Sequence, residues 1–384
     1  MKLGGYGMKL IRRALLILVT LAGAAIAADA QQEPQVHIDK SGTAHLPALD
    51  VPLSSYMSEQ AKEAFIKAAL QPLDAEAWGK QPISKVRVLY DGALQKFLDR
   101  ASVLYPVRIE ERKVAGVSTR TITPKDGVPL DHRARVLLNL HGGGFFMGEG
   151  NEALLESIPI AGLGKYKVIT VNYREGPEYR FPAASEDVAS VYRELLKEYK
   201  SSDIGIYGCS AGGTLSAMAI AWFQREGLPA PGAIGIFGAG AFGSFYGAPA
   251  TPGTWGGDSR FTAPPLVGDK PLPPGPNGAP SIPADMSAYL SNANLADPLV
   301  SPALSPTVLA KFPTTLLITG TRAYDMSAAI QTQRELTNAG VAADLHLWDG
   351  MGHCFFFDVD LPESQEAFSV ITKFFNTHLG HPVK

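Results

Sequence analysis

The sequence has 384 residues, of which 46% are hydrophobic and 18% are charged, and its formal net charge is −3. This composition is sufficient for the packed core of one large α/β domain or two small domains, and it excludes a chain that is disordered throughout. There is no surplus of basic residues to neutralise phosphates, so nothing favours nucleic-acid binding or long-range attraction of strongly anionic ligands.

The first thirty residues have the pattern of an export signal. Lys9, Arg12 and Arg13 precede an apolar run over 14–28, and Ala28-Asp29-Ala30 then supplies a small-residue cleavage pattern. An uncleaved anchor is the alternative, but the run is shorter than the ~20 residues that a spanning helix needs. We therefore expect cleavage after residue 30, no stable membrane insertion afterwards, and a periplasmic or secreted product.

After a polar, proline-containing linker over 31–53, the hydrophobic pattern predicts one domain over 54–384 in which strands and helices alternate. In chain order, the predicted elements are a helix over 58–70, paired strands within 106–124, a strand over 136–140, a strand over 168–173, a helix after Pro182, a strand over 204–207, a helix over 211–225, a strand over 233–237, a strand over 315–319, a helix over 327–338, a strand over 341–348 and a helix around 367–375. This alternation predicts an α/β fold with a mostly parallel sheet covered by helices on both faces.

One long segment interrupts the alternation. Residues 239–306 are rich in proline and glycine, most densely over 271–280. Insertions of this length are uncommon in compact domains and often have a function. We interpret them, together with residues 54–105, as elements of a cap over the active site.

The sharpest chemical signal is Gly208-Cys209-Ser210-Ala211-Gly212, a G-x-S-x-G pattern between a predicted strand and a predicted helix. Small residues two positions on either side of a serine permit a turn tight enough to expose its hydroxyl. An ordinary glycine-rich turn is the alternative, but the strand–turn–helix context favours a nucleophile at Ser210.

Two further segments complete the chemistry that a nucleophilic serine needs. His141-Gly142-Gly143-Gly144 follows the strand over 136–140, and the amides of Gly143 and Gly144, with that of Ala211, are the predicted donors to an oxyanion. We interpret His141 as a structural residue that orders this loop. His353 follows the last predicted strand, at the sheet edge where active sites of such folds lie, and is the candidate base.

Together these segments resemble the hormone-sensitive-lipase-like branch of the α/β-hydrolases, which is called family IV among bacterial esterases. The resemblance rests on 141–145, 173–187, 208–213, 297–302 and 352–355. It implies an α/β-hydrolase fold with a cap, a Ser–acid–His order along the chain, hydrolysis of carboxylic esters with short to medium acyl chains, and neither a metal nor an organic cofactor. A homodimer remains an open alternative.

The chain departs from this family at the acid of the triad. The position that aligns with the family's aspartate holds Ala323, and Asp325 lies two residues further on. We assign Asp325 as the acid, whereas its other interpretation is a residue at the start of the following helix. Asp349 and Asp358 are weaker candidates, and Asp297 is expected to be structural.

The second departure is Cys209, where the family usually has aspartate. The only other cysteine, Cys354, adjoins His353. A disulfide is one alternative for an exported protein, but two buried free thiols are the interpretation that we favour.

Other functions have weaker support. The Gly238–Gly243 segment matches G-x-G-x-x-G but lacks the helix that a dinucleotide site needs, and no zinc-type spacing of His or Cys occurs. Cleavage of another acyl bond, such as a lactone, an amide or a sugar acetate, remains an alternative on the same site. A binding protein with impaired catalysis is a second alternative, because Ala323 stands where the acid is usual.

Overall fold

The computed structural model describes residues 36–40, 44–45, 52–70, 80–243 and 288–380. Residues 1–52 form one compact unit and 53–384 a second. In the first unit, β1 (His37–Ile38) pairs antiparallel with β2 (Ala44–His45). The expected export signal over 1–30 and residues 244–287 of the expected cap lie outside the described residues. Within the described part, no helix is both long and apolar enough to cross a membrane.

An eight-stranded sheet forms the centre of the second unit. Its strands are β3 (Val107–Val114), β4 (Val117–Pro124), β5 (Val136–Leu140), β6 (Lys167–Val171), β7 (Ile204–Cys209), β8 (Ala233–Phe237), β9 (Thr314–Gly320) and β10 (Ala343–Trp348). Their order across the sheet is β10-β9-β8-β7-β5-β6-β4-β3. The pairs that β4 makes with β3 and β6 are antiparallel, and all other pairs are parallel. The predicted fold class, a mostly parallel sheet, is therefore confirmed.

Helices cover both faces of this sheet. They are α1 (Glu59–Leu70), α2 (Ile83–Leu104), α3 (Asn151–Gly164), α4 (Ala183–Leu195), α5 (Ala211–Arg225), α6 (Pro306–Leu309), α7 (Met326–Asn338) and α8 (Pro362–His378). One apolar core contains side chains of α4, α5 and α7, and a second contains side chains of α2, α3 and α8. Two cores separated by the sheet are the expected arrangement for parallel strands joined by crossover helices.

The central strands divide their side chains between these two cores. In β5, Val136, Leu138 and Leu140 enter the first core, whereas Leu137 enters the second. In β7, Ile206 enters the first core and Tyr207 the second. Because successive side chains of a strand point to opposite faces, a strand buried on both faces has a continuous apolar sequence. This explains why these runs could be recognised as buried strands.

Two long helices were not predicted from the sequence. α3 is buried along most of its length and contains Pro159, so it has no polar face to produce a helical period. α2 buries only Val86, Leu94 and Ala101 of its 22 residues, and its apolar stripe is correspondingly sparse. Both helices belong to the part of the fold that surrounds the glycine loop after β5.

Polar contacts of Arg87 join α2 to that loop. Its Nε donates to the carbonyl oxygen of Phe146 at 2.8 Å, and its Nη2 donates to that of Gly176 at 2.8 Å. The same guanidinium forms an ion pair with Glu178, and its Nε lies 3.2 Å from a carboxyl oxygen of Glu175. Burial raises the pKa of Glu175 to about 8, since it outweighs the attraction of Arg87. Glu178 is more exposed, and its hydrogen bond to Arg87 lowers its pKa.

The raised pKa of Glu175 predicts a pH dependence of stability. Between the ordinary pKa of 4.5 and the folded pKa of about 8, the native state binds a proton that the unfolded state has lost. The free energy of unfolding should therefore fall as pH rises through this range. In Glu175→Gln this decline should be smaller, which urea unfolding at pH 5, 6.5 and 8 measures. Glu178→Gln is the matched control, and equal slopes in wild type and Glu175→Gln would contradict the prediction.

Candidate active site

The turn after β7 presents Ser210. This residue has φ 58° and ψ −124°, its amide donates to the carbonyl oxygen of Phe237 at 2.8 Å, and α5 begins at the next residue. A Cβ on Gly208 would lie 2.0 Å from the Leu140 carbonyl oxygen, and one on Gly212 would lie 1.8 Å from the same atom. Any larger residue at either position would collide with β5, so the G-x-S-x-G spacing has a steric cause here.

The candidate base and acid are in direct contact. His353 Nδ1 lies 2.6 Å from Asp325 Oδ1, and the other oxygen of this carboxylate accepts a hydrogen bond from Thr319 Oγ1 at 2.5 Å. The Asp325 side chain is fully buried, whereas that of His353 is 17% exposed. Because a carboxylate oxygen accepts hydrogen bonds, Nδ1 is the imidazole nitrogen that donates to Asp325, and Nε2 is the nitrogen that can act as a base.

The loop after β9 explains how Asp325 reaches His353 although the family position holds Ala323. The amide of Ala323 donates to the carbonyl oxygen of Gly320, in a tight turn that buries the alanine side chain completely. Asp325 then precedes α7, but its side chain makes no capping hydrogen bond to that helix. The interpretation as a helix cap is therefore wrong for its carboxylate, which contacts His353 instead.

The other aspartates considered from the sequence make different contacts. Asp349 accepts hydrogen bonds from the hydroxyl groups of Ser54 and Thr321. Asp358 accepts from the Asp360 amide at 3.3 Å, and Asp297 accepts from the Leu299 amide at 2.9 Å. Of the four aspartates, Asp325 is the one that the structure shows in contact with His353.

The predicted oxyanion donors lie on two segments that meet at Ser210. Gly143 and Gly144 have φ of 92° and 66°, in a turn closed by bonds from the amides of Phe146 and Met147 to the Gly143 carbonyl oxygen. The structure shows no hydrogen bond from the amides of Gly143, Gly144 or Ala211 to any described residue. These three N–H groups therefore stay the candidate donors to a ligand oxygen.

A buried carboxylate, which sequence analysis missed, joins the two segments. One oxygen of Glu156 accepts from the Gly142 amide at 2.9 Å, and the other accepts from the Cys209 amide at 3.1 Å and from Asn139 Nδ2 at 2.8 Å. Burial and the nearby Glu152 raise its pKa well above the ordinary value. Two glutamates four residues apart in the otherwise apolar stretch 151–164 were the available signal.

His141 has the structural role that was expected of it. Its ring stacks on Tyr173 with centroids 4.2 Å apart, and its Nδ1 lies 2.9 Å from the Gly142 carbonyl oxygen. Burial lowers its pKa to about 4, so the ring is neutral near pH 7 and Nδ1 donates to that carbonyl.

Tyr324 is a second residue that sequence analysis missed. Its ring stacks on that of His353 with centroids 4.3 Å apart, and its hydroxyl lies 2.8 Å from Nε2. Since Nδ1 carries the imidazole proton, the tyrosine hydroxyl donates to Nε2. Tyr324 thus occupies the nitrogen that must accept a proton from the nucleophile.

The favoured expectation for the cysteines is wrong. Cys209 and Cys354 form a disulfide across 145 residues of sequence, with Cα atoms 6.3 Å apart, and no described cysteine is free. The side chain of Cys209 points away from the first core, toward the loop that follows β10. Adjacency of each cysteine to a candidate catalytic residue was therefore evidence of spatial proximity.

Comparisons with known proteins agree with this geometry. A family model described as the alpha/beta hydrolase fold matches residues 137–357, and the chain belongs to that family. An esterase named E25 has a similar structure, with a TM-score of 0.72 and 27% identity over 87% of this chain and 98% of that one. An esterase from the bacterial hormone-sensitive lipase family superposes with a TM-score of 0.66 and 26% identity, covering 84% of this chain and 99% of the other.

Proteins that are similar to this chain in sequence are also named as esterases or acetyl-hydrolases. An acetyl-hydrolase from Streptomyces hygroscopicus is 26% identical over 262 residues, which cover 67% of this chain and 80% of that protein. An esterase from Acinetobacter venetianus is 30% identical over 152 residues, which cover 38% of this chain and 48% of that esterase. A versiconal hemiacetal acetate esterase from Emericella nidulans is 33% identical over 124 residues, 32% of this chain and 41% of that protein. The chain thus spans less than half the length of the Acinetobacter and Emericella esterases.

The resemblance to carboxylesterase-type hydrolases of the hormone-sensitive-lipase family is confirmed.

Replacement of the candidate acid should remove most of the activity. In Asp325→Asn the amide can donate to the histidine and favour the wrong tautomer, so kcat for an ester should fall by about 10³- to 10⁴-fold. Asp349→Asn is the control, because it loses a carboxylate from the neighbouring loop, and its kcat should stay close to that of wild type. Equal activity in the two variants would show that the acid lies elsewhere.

Removal of the Tyr324 hydroxyl should raise the activity, whereas loss of the Asp325 carboxylate should lower it. Tyr324→Phe keeps the stacked ring but frees Nε2 from a hydrogen bond worth roughly 0.5–1.5 kcal/mol, so kcat/KM should rise by up to about tenfold. Steady-state kinetics on a soluble ester measure this, with the exposed Tyr179→Phe as control. A fall in kcat/KM would instead mean that the hydroxyl supports the productive orientation of the imidazole.

Proposed function

We propose that this protein is a serine carboxylesterase that acts through an acyl-enzyme on esters with short to medium acyl chains. The observation that carries the proposal is the 2.6 Å contact between Asp325 and His353, which the Cys209–Cys354 disulfide holds next to the turn that carries Ser210. Together these residues have the roles of nucleophile, base and orienting acid.

The proposed reaction has two halves. His353 Nε2 accepts the proton of the Ser210 hydroxyl while the oxygen attacks the ester carbonyl, and the amides of Gly143, Gly144 and Ala211 stabilise the oxyanion. The imidazolium then protonates the leaving alcohol, which departs as the acyl-serine forms. Water, deprotonated by His353, attacks the acyl group, and Ser210 recovers its proton as the acid is released.

The proposed preference for short to medium acyl chains is based on the names of related proteins. Names such as acetyl-hydrolase and ethyl acetate hydrolase indicate small acyl groups for proteins that share this fold family. Lactone, amide or sugar-acetate cleavage would use the same residues and is separated only by substrate tests. The alternative of an impaired binding protein was based on Ala323, and its support weakens because Asp325 contacts His353.

We also propose that the protein acts outside the cytoplasm, in the periplasm or after secretion. Support comes from the export-signal pattern over 1–30 and from the disulfide between Cys209 and Cys354. Structural disulfides persist mainly in oxidising compartments.

The test of the proposed activity is hydrolysis of p-nitrophenyl acetate, butyrate and decanoate by wild type, Ser210→Ala and the control Ser190→Ala. Ser190 is a partly buried serine on α4 whose hydroxyl donates to the Glu186 carbonyl oxygen. Wild type and Ser190→Ala should prefer the acetate or butyrate, and Ser210→Ala should lose about 10⁵- to 10⁶-fold in kcat. Turnover that survives in Ser210→Ala would exclude the proposed nucleophile. Faster cleavage of a p-nitroanilide or a sugar acetate than of any ester would favour another acyl bond.

A further inference from the structure

The disulfide lies between the two residues that carry the proposed chemistry. Cys209 is the last residue of β7 and immediately precedes Ser210, and Cys354 immediately follows His353. The bridge therefore connects the nucleophile turn directly to the histidine loop. Both half-cystines are buried, so the bond belongs to the interior of the site rather than to its surface.

The sheet order shows what this bond spans. The histidine loop follows β10, which is separated from β7 by β9 and β8. The bridge passes over the end of β8, where a Cβ on Gly238 would lie 2.9 Å from both sulfur atoms and 3.1 Å from His353 Cε1. Gly238 has φ 52°, and its amide donates to the Ile318 carbonyl oxygen of β9 at 2.7 Å. The disulfide and the imidazole thus rest on one backbone position that has no side chain.

The two ends of the bridge are anchored differently. On the Cys209 side, the strand is paired within the sheet, and the Cys209 amide donates to Glu156, which also holds the glycine loop. On the Cys354 side, the loop contains Gly350 with φ 79°, and Cys354 itself has φ 46° and ψ 38°. A rigid strand is therefore bonded to a glycine-containing loop, and the loop is the part whose freedom the bond reduces.

We infer that the Cys209–Cys354 disulfide positions His353 relative to Ser210 and so sets the rate of acyl transfer, beyond any contribution to stability. This inference rests on the proposed function of Ser210 and His353. Both cysteines are positioning residues, because they act through the neighbouring side chains and do not themselves react. A displacement of about 1 Å can cost 10²-fold in rate, so a covalent bond one residue from each catalytic group can affect catalysis strongly.

The experiment compares wild type with Cys209→Ala, Cys354→Ala and the double variant, each as the full chain. The kcat and KM for p-nitrophenyl butyrate are measured at a temperature where circular dichroism shows every variant folded. We expect kcat to fall about 10- to 100-fold with KM nearly unchanged. The double variant should equal each single variant within about threefold, because all three break the same bond.

A stability control separates positioning from general loosening. Val191 is fully buried in α4, on the first core, away from both cysteines. Val191→Ala leaves a cavity and should lower Tm while kcat stays close to that of wild type. Labelling of Ser210 by a fluorophosphonate should slow in the cysteine variants but not in Val191→Ala. If the cysteine variants lower Tm and keep full kcat and labelling rate, the bond only stabilises the fold and the inference is wrong.

If the cysteine variants fail to fold, a second measurement on the wild-type protein tests the inference instead. Wild type is incubated with a phosphine reductant, and free thiols and kcat are followed in the same samples. Activity should decline in step with the appearance of two thiols while circular dichroism is unchanged, and constant activity after complete reduction would overturn the inference. If wild type itself shows no turnover that depends on Ser210, the proposed function fails first. If wild type shows turnover that depends on Ser210 but breaking the disulfide does not change kcat, only the inference about the disulfide is overturned.

Discussion

The steric crowding at the end of β7 is the constraint on which the site depends. The Leu140 carbonyl oxygen of β5 lies so close to both Gly208 and Gly212 that neither position can carry a side chain. Because both positions are glycine, the chain can pass close to β5, and β7 reverses into α5 within one residue, Ser210, which adopts φ 58°. Such a conformation is costly for a residue other than glycine, and the sheet on one side and the helix on the other hold it. The strain is compensated by the packing of two buried elements.

Glu156 extends this constraint to the oxyanion loop. A buried carboxylate is expensive unless its oxygens are satisfied, and here they accept three hydrogen bonds, two of them from backbone amides of different segments. One amide precedes Gly143 and the other precedes Ser210. The carboxylate therefore fixes the distance between the oxyanion donors and the nucleophile without contacting either. α2 adds a support from the other side, because Tyr90 donates to Glu152 and Arg87 donates to Phe146.

Sequence analysis predicted most of the sheet and identified Ser210 and His353 as candidate site residues because those features have local signatures. Strands such as β5 and β7 are continuous apolar runs, and the turn at Ser210 needs glycines at fixed spacing. α3 could not be recognised, since a helix buried on nearly all sides has no amphipathic period. Tyr324 and Glu156 were missed for a different reason: their roles depend on the loop after β9 and on a crossover helix, and no local spacing encodes a contact between distant segments.

The expectation for the cysteines was wrong for the same reason, because local sequence does not encode a contact between distant segments. The sequence placed each beside a candidate catalytic residue, but side-chain direction decides between a bond and two thiols, and the strict geometry of a disulfide made free thiols the simpler choice. In the structure, period-two alternation along β7 sends Cys209 to the same face as Tyr207 and away from Ile206. That face is the one toward which Cys354 points. A residue that is usually aspartate in the resembling family is thus half of a covalent bond. Burial already raises the pKa values of Glu152 and Glu156 nearby, so a further carboxylate at position 209 would be costly to ionise. The disulfide instead connects the nucleophile turn to the histidine loop without adding charge.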